Sequence, residues 1–264
     1  MTTSLEQLQQ QFRTLRLSET ADYLPSLIQQ AESEDWTYRM FLDHLATYEL
    51  KRRDEKLIEK RLKWAAFPFY KTIDSFRVEE QQSLSKKQIN QLKEFTWLDQ
   101  LYNLIILGPP GVGKTHLATG LGIEAIHQGY KVSFISMGQL IQTLKTEDVT
   151  RKSQTRMRRI RDSNLVIIDD LMFMAMDSRE ANLFFHLIND LYDNASVILT
   201  SNKGPNEWGE LLGDPGITTA ILDRLLHRAE VIQFRNDDSY RMKHRSSIFM
   251  EKSVQDERAK SVQN

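Results

Sequence analysis

Five short apolar runs, NLIIL (residues 103–107), KVSFIS (131–136), LVIID (165–169), SVILTS (196–201) and EVIQF (230–234), are separated by stretches with helical spacing. Runs this short and apolar read as strands, and strands that alternate with amphipathic helices predict a parallel sheet covered by helices on both faces. The intervening helices are expected in THLATGLGIEAIHQG, QLIQTLK and REANLFFHLINDLYD. The second part of the chain is therefore expected to have an α/β fold.

The start of the chain follows a different period. SETADYLPSLIQQAES begins with Ser18, a candidate N-cap, and WTYRMFLDHLATYELKRRDEKLIEKRLKWAAF repeats apolar residues every three or four positions before stopping at Pro68. The expected division is a small all-helical domain over 1–70, an α/β domain over 71–250 and a polar tail over 251–264. Residues 69–100 read as a connector with short helical pieces. The chain has 264 residues, 40% of them hydrophobic and 27% charged, which suits a soluble globular protein. No apolar run reaches membrane-spanning length, and MTTSLEQLQQQF lacks the basic and apolar regions of a secretory signal. The absence of cysteine excludes disulfides and thiolate metal sites and suits a cytoplasmic protein. Six histidines are scattered without ligand spacing. A formal net charge of -1 means that any nucleic-acid surface has to be a local patch.

GPPGVGKT, residues 108–115, matches G-x-x-x-x-G-K-[ST] in full and sits between an apolar run and a helical one. Glycines let backbone N–H groups turn inward around phosphates, and the following helix adds the positive end of its dipole. The expected nucleotide contacts are Gly108, Pro109, Pro110, Gly111, Val112, Gly113, Lys114, Thr115 and His116. Lys114 can reach the terminal phosphates and the Thr115 hydroxyl can ligate Mg2+. Asp169 closes a strand and fits the second metal-side position. Asp170 follows it, where a carboxylate can orient or deprotonate an attacking water. The alternative for Asp170 is a residue that merely opens the next loop. An extra strand between loop and acid, together with the second carboxylate, points to nucleoside triphosphate hydrolysis rather than kinase chemistry. Asn202 ends SVILTSN and can hold the water or read the γ-phosphate. In LMFMAMDSREA, the three methionines read as packing, and Asp177 with Glu180 reads as a capping box.

RKSQTRMRRIRDSN is the densest basic stretch, with Arg151, Lys152, Arg156, Arg158, Arg159 and Arg161. It is a candidate DNA-backbone contact; the alternative is a helix packed on a neighbouring subunit or on acidic side chains.

GPPGVGKTHLA, LVIIDDL, TSN, WGELLGDP, ILDRLLHRAEVI and DSYRMK, in this order, resemble the IstB-type ATPases of insertion sequences. That family is related to the helicase loader DnaC and the initiator DnaA within the AAA+ class. The resemblance runs from about residue 70 to 245 and extends more weakly into the N-terminal helices. It implies an AAA+ core with a lid domain that is minimal or absent. It also implies an ATP- and Mg2+-dependent homo-oligomer that assembles on duplex DNA and assists a transposase. Asn202 matches sensor 1, Arg224 the finger that completes a neighbour's site in trans, and Arg241 sensor 2. Arg228 competes for the finger role. Where relatives carry Glu-Leu-Gly after the metal-side aspartate, this chain has Asp170-Leu171-Met172, one methylene shorter at the first position. The rival readings are a helicase loader with the same core and, from another class, a small-molecule P-loop kinase.

Overall fold

The computed structural model describes residues 4–80, 82–171, 176–208 and 215–235. The described residues form two compact units, divided between Lys63 and Trp64. The first is built from α1 (Leu5–Thr14), α2 (Ser18–Ser33) and most of α3 (Tyr38–Ala65). Ala21, Leu24 and Leu27 of α2 are buried, Tyr23 stacks on Tyr48 at 4.1 Å, and Glu19 pairs with Arg52 and Lys56 of α3. Ser18 is not the N-cap that the sequence suggests. The turn closing α1 puts Arg16 at φ 63° and bonds Leu17 N–H to Phe12 O, and Leu17 O then accepts the Ala21 N–H that starts α2. Leu17 therefore occupies the cap position and Ser18 is already helical.

The second unit begins with short pieces, 3-10 turns at Ile73–Ser75 and Val78–Glu80 and helices α4 (Lys86–Lys93) and α5 (Thr96–Asp99). It continues through β1 (Asn103–Leu107), α6 (Lys114–His127), β2 (Val132–Ser136), α7 (Met137–Lys145) and α8 (Arg151–Arg161). It then runs through β3 (Leu165–Asp169), α9 (Ser178–Tyr192), β4 (Ser196–Ser201), α10 (Pro215–Leu226) and β5 (Ala229–Gln233). All four strand pairings are parallel, and the order is β2-β3-β4-β1-β5. The expected α/β class and its strands are present. Among the described residues no helix is long and apolar enough to cross a membrane.

Burial explains the pattern. Every residue of β1 and β4 is buried, as are the first four of β3. On one face, Ile105, Val166, Ile168, Val197 and Leu199 pack in one core with Leu140 of α7, Phe184 and Leu187 of α9 and Ile221 of α10. On the other, α6 lies against β2, β3 and β4. The Asp177–Glu180 capping box forms at the start of α9, with Glu180 N–H donating to Asp177 Oδ1 at 2.7 Å. Met176 is buried, while Met172 and Met174 lie outside the described residues. The expected minimal or absent lid falls on residues past Arg235, also outside them.

The order places β4 between β1 and β3, so the carboxyl ends of β1, β3 and β4 converge. In open α/β sheets a crevice at such ends is where ligands bind. At the opposite end, Asn103 fastens α10 to the sheet: its Nδ2 donates to Leu225 O at 3.0 Å and its Oδ1 accepts Val197 N–H at 2.8 Å.

The connector lies directly on the backbone of α6. A Cβ on Gly120 would sit 2.8 Å from Ile73 N and 2.9 Å from Ile73 Cα, whereas one on Gly122 would meet the side chains of Ile167 and Phe67. Alanine favours a helix over glycine by about 1 kcal/mol, but overpacking against fixed backbone costs about 1–3 kcal/mol. Gly120→Ala is thus expected to lower the urea midpoint, and Gly122→Ala to lower it less, because side chains can shift.

Candidate nucleotide site

Gly108 leaves β1 with its N–H bonded to Ser201 O at the end of β4, 3.2 Å away. Gly108, Gly111 and Gly113 have φ of 147°, 89° and 100°, the left-handed region that a side chain resists. At Gly108 space is short as well, since a Cβ would stand 2.7 Å from Phe234 Cβ. Helix α6 starts at Lys114 and no side chain caps it. The positive end of its dipole therefore favours an anion at this helix start. A cavity of about 460 Å3 opens beside the loop, lined by Gly108, Pro109, Asn202, Gln233, Phe234 and Arg235.

The side chains expected at the site come together at the strand ends. Lys114 is buried, and its Nζ donates to Gly108 O (2.7 Å), Pro109 O (3.0 Å) and Asn202 Oδ1 (2.6 Å). Thr115 Oγ1 lies 3.0 and 3.2 Å from the two carboxylate oxygens of Asp169. Burial pushes the Asp169 carboxyl above the usual carboxylate range. Hydrogen bonds from Thr200 and Thr115 pull it back down, and the neighbouring Asp170 adds to the rise. Asp170 has φ 61°, and its N–H donates to Thr200 Oγ1 at 2.9 Å. A hydroxyl and a carboxylate are the hard oxygen donors that Mg2+ takes alongside substrate phosphates. Among the described residues there is no cluster of three or more His, Cys, Asp or Glu that could hold a metal by itself.

Other expected residues are placed differently. Val112 is buried, Pro110 is exposed, and the His116 ring turns to the connector, with Nε2 3.0 Å from Ser75 Oγ and 3.3 Å from Thr72 O. Burial lowers the His116 pKa. Arg224 of α10 is anchored on α9: Nε donates to Asn189 Oδ1 at 3.0 Å, and the guanidinium lies 4.8 Å from the Phe185 ring centre. Its Nη1 donates to Ala220 O at 3.1 Å. Arg228 is exposed in the turn before β5. Arg241 lies outside the described residues.

The six cations of the basic stretch all lie on or at the ends of α8 and divide by direction. Arg156 turns inward and donates to Phe134 O and to Trp64 O, and burial pushes its pKa down. Arg159 stacks on Trp64 at 5.0 Å. Arg161 pairs with Glu147 and Asp190. Arg151, Lys152 and Arg158 face solvent, Arg158 with a loose pair to Asp162 at 3.8 Å.

Thr200 is the site residue that the motifs do not reveal. Its one visible signal is a hydroxyl inside the apolar run SVILTS.

A family model described as IstB-like ATP binding protein matches residues 10–248. A Pseudomonas aeruginosa protein whose name assigns it to insertion sequence IS21 and to ATP binding is 37% identical over 231 residues, 88% of this chain and 87% of its own length. A counterpart from Geobacillus stearothermophilus, named for insertion sequence IS5376 and ATP binding, is 34% identical over 97% of this chain and 98% of its own length. Among solved structures, AMPPCP-bound DnaA from Aquifex aeolicus aligns with a TM-score of 0.54 and 24% identity, covering 67% of this chain. The chain spans about half of that DnaA structure's length, 54%. The DnaC helicase loader aligns with a TM-score of 0.50 and 19% identity, over 62% of this chain and 96% of the loader. These likenesses establish the fold, a DnaA/DnaC-like core with a five-stranded parallel sheet flanked by helices.

A carboxyl whose pKa is higher in the folded chain than in the unfolded one withdraws stability as pH rises through that interval. Asp169 is such a group, its folded pKa raised by burial. Asp169→Asn is therefore expected to melt, without nucleotide, at or above the wild-type temperature at neutral pH. The difference should shrink on acidification, as read by thermal unfolding across pH.

Proposed function

The chain belongs to the family of IstB-like ATP-binding proteins, and on that premise we propose that it is an ATPase that assembles as a homo-oligomer on duplex DNA and assists the transposase of an insertion sequence. The observation that carries this reading is the meeting of Lys114, Thr115, Asp169 and Asn202 at the carboxyl ends of β1, β3 and β4. The insertion-sequence names of the relatives favour transposition over helicase loading. A cytoplasmic location goes with that role.

In this reading the glycine loop and the first turn of α6 hold the phosphates, and Lys114 gives its donors to the terminal ones. Thr115 and Asp169 would hold Mg2+, which when bound would supply charge neutralisation at the phosphate oxygens. Asp170 orients the attacking water and takes its proton, and Asn202 stands next to Lys114 to fix the same water or the γ-phosphate. Aspartate in place of glutamate holds the base one methylene further back. Arg224 acts in trans on the site of the next subunit, its direction set by Phe185 and Asn189, and Arg241 acts as sensor 2. Arg151, Lys152 and Arg158 supply backbone contacts to DNA, since Arg156 and Arg161 are committed within the fold.

The defining experiment sizes the full chain with duplex or single-stranded DNA, with and without a non-hydrolysable ATP analogue, and measures turnover alongside. ATP-dependent assembly on duplex is expected for wild type and for Asp170→Asn. Turnover by Asp170→Asn should fall by about 100-fold or more, while Asp170→Glu keeps it. Failure to assemble under every condition would sink the reading. For the DNA face, Arg158→Ala should lower the slope of log K against log salt by about 1. Arg161→Ala should leave that slope alone and lower the melting temperature.

A further inference from the structure

We propose that Thr200 is a positioning residue, its one hydroxyl fixing the Asp169 carboxylate and the Asp170 backbone at the same time. The side chain is buried in β4, the strand that lies between β1 and β3. Leu199 is in register with Ile168, so the next residue of β4 stands beside Asp169, while Thr200 itself pairs with Ile106 of β1. Both sides of the strand are thus held by ladders. A β-branched side chain has little freedom at χ1, so the hydroxyl has a fixed direction.

The hydrogen-bond directions follow from the donors present. A backbone N–H can only donate, so Thr200 Oγ1 accepts from Asp170 at 2.9 Å. The hydroxyl proton is then free to go to Asp169 Oδ1, 2.7 Å away. This anchors one carboxylate oxygen, while Oδ2 has its contact with Thr115 Oγ1 at 3.2 Å. Thr115 also bonds Asp169, but on the ATPase reading its oxygen turns to the ion. Thr200 is then the bond that keeps Asp169 oriented while Thr115 is engaged.

The second half of the contact concerns Asp170. At φ 61° its backbone is in a region that side-chain-bearing residues seldom adopt, and such conformations persist only where the surroundings impose them. The N–H bond to Thr200 is such an imposition, and it sets the direction in which the Asp170 side chain leaves the strand. One hydroxyl therefore couples the metal-side acid to the acid assigned to the water.

This proposal rests on the ATPase reading, and its test separates the two. Thr200→Val keeps the shape, the branch and the strand preference but removes the hydroxyl; Thr200→Ser keeps the hydroxyl. For the full chain with duplex DNA, the measurements are kcat and KM for ATP, the Mg2+ concentration that half-maximally tightens binding of mant-ATP, and thermal unfolding. Thr200→Val is expected to lose turnover by about 10- to 100-fold and to need about tenfold more Mg2+, with KM shifted less than kcat. Thr200→Ser is expected to restore both to near wild type. Turnover and Mg2+ requirement in Thr200→Val close to wild type would overturn the proposal, as would equal losses in Val and Ser. If Thr200→Val does not fold, Thr200→Ala takes its place with the same outcomes. If neither folds, the hydroxyl holds the strands rather than the acids, and the proposal fails. If wild type binds mant-ATP but does not hydrolyse ATP, the ATPase reading fails while the Mg2+ measurement still decides the role of Thr200.

Discussion

A sheet buried on both faces has no place for charge along its strands, and that constraint decides where this protein can keep its polar groups. β1 and β4 are buried throughout and β3 up to its last residue. Apart from Asn103 and Ser196 at the amino ends, the polar side chains on these strands gather at the carboxyl ends, where the order β3-β4-β1 makes them neighbours. Half-buried polar groups must find partners, because each one left unpaired costs about 1–3 kcal/mol. Lys114 finds Asn202, Thr115 finds Asp169, and Thr200 serves both Asp169 and the Asp170 backbone. The site is in this sense a consequence of the sheet's burial, with each member oriented by another.

What the sequence revealed was local chemistry. LVIID, SVILTS and the glycine loop were legible because strand burial, strand length and loop geometry each act over a few residues. The Asp177–Glu180 capping box was legible for the same reason. The strand order was not, since periodicity does not say which strand lies beside which. The role of Thr200 was not legible for that reason: its partners are the last residue of β3 and the one after it, about thirty residues earlier, and only the β3–β4 register brings them together. The start of α2 was misread by one residue, because a cap depends on how the preceding turn closes and not on the serine alone.

Direction was the other missing quantity. A count of charges in RKSQTRMRRIRDSN treats the six cations alike, but a helix distributes them around its axis. Arg161 lands beside Glu147 and Asp190, Arg159 over an indole, and Arg151, Lys152 and Arg158 in solvent. Arg224 is a similar case. The resemblance implies that it acts on a neighbour's site, while its partner Asn189 lies on a separate helix of the same chain.

Arg156 has a further consequence at the rim of the sheet. β2 is a terminal strand, and one of its carbonyls, that of Phe134, accepts the guanidinium from α8. A terminal strand with free carbonyls is a template for strand pairing with another molecule, and natural proteins blunt such edges with inward-pointing charge. Here a half-buried arginine covers one carbonyl of that edge. An arginine that sequence inspection would assign to nucleic acid thus covers a backbone group at the sheet margin.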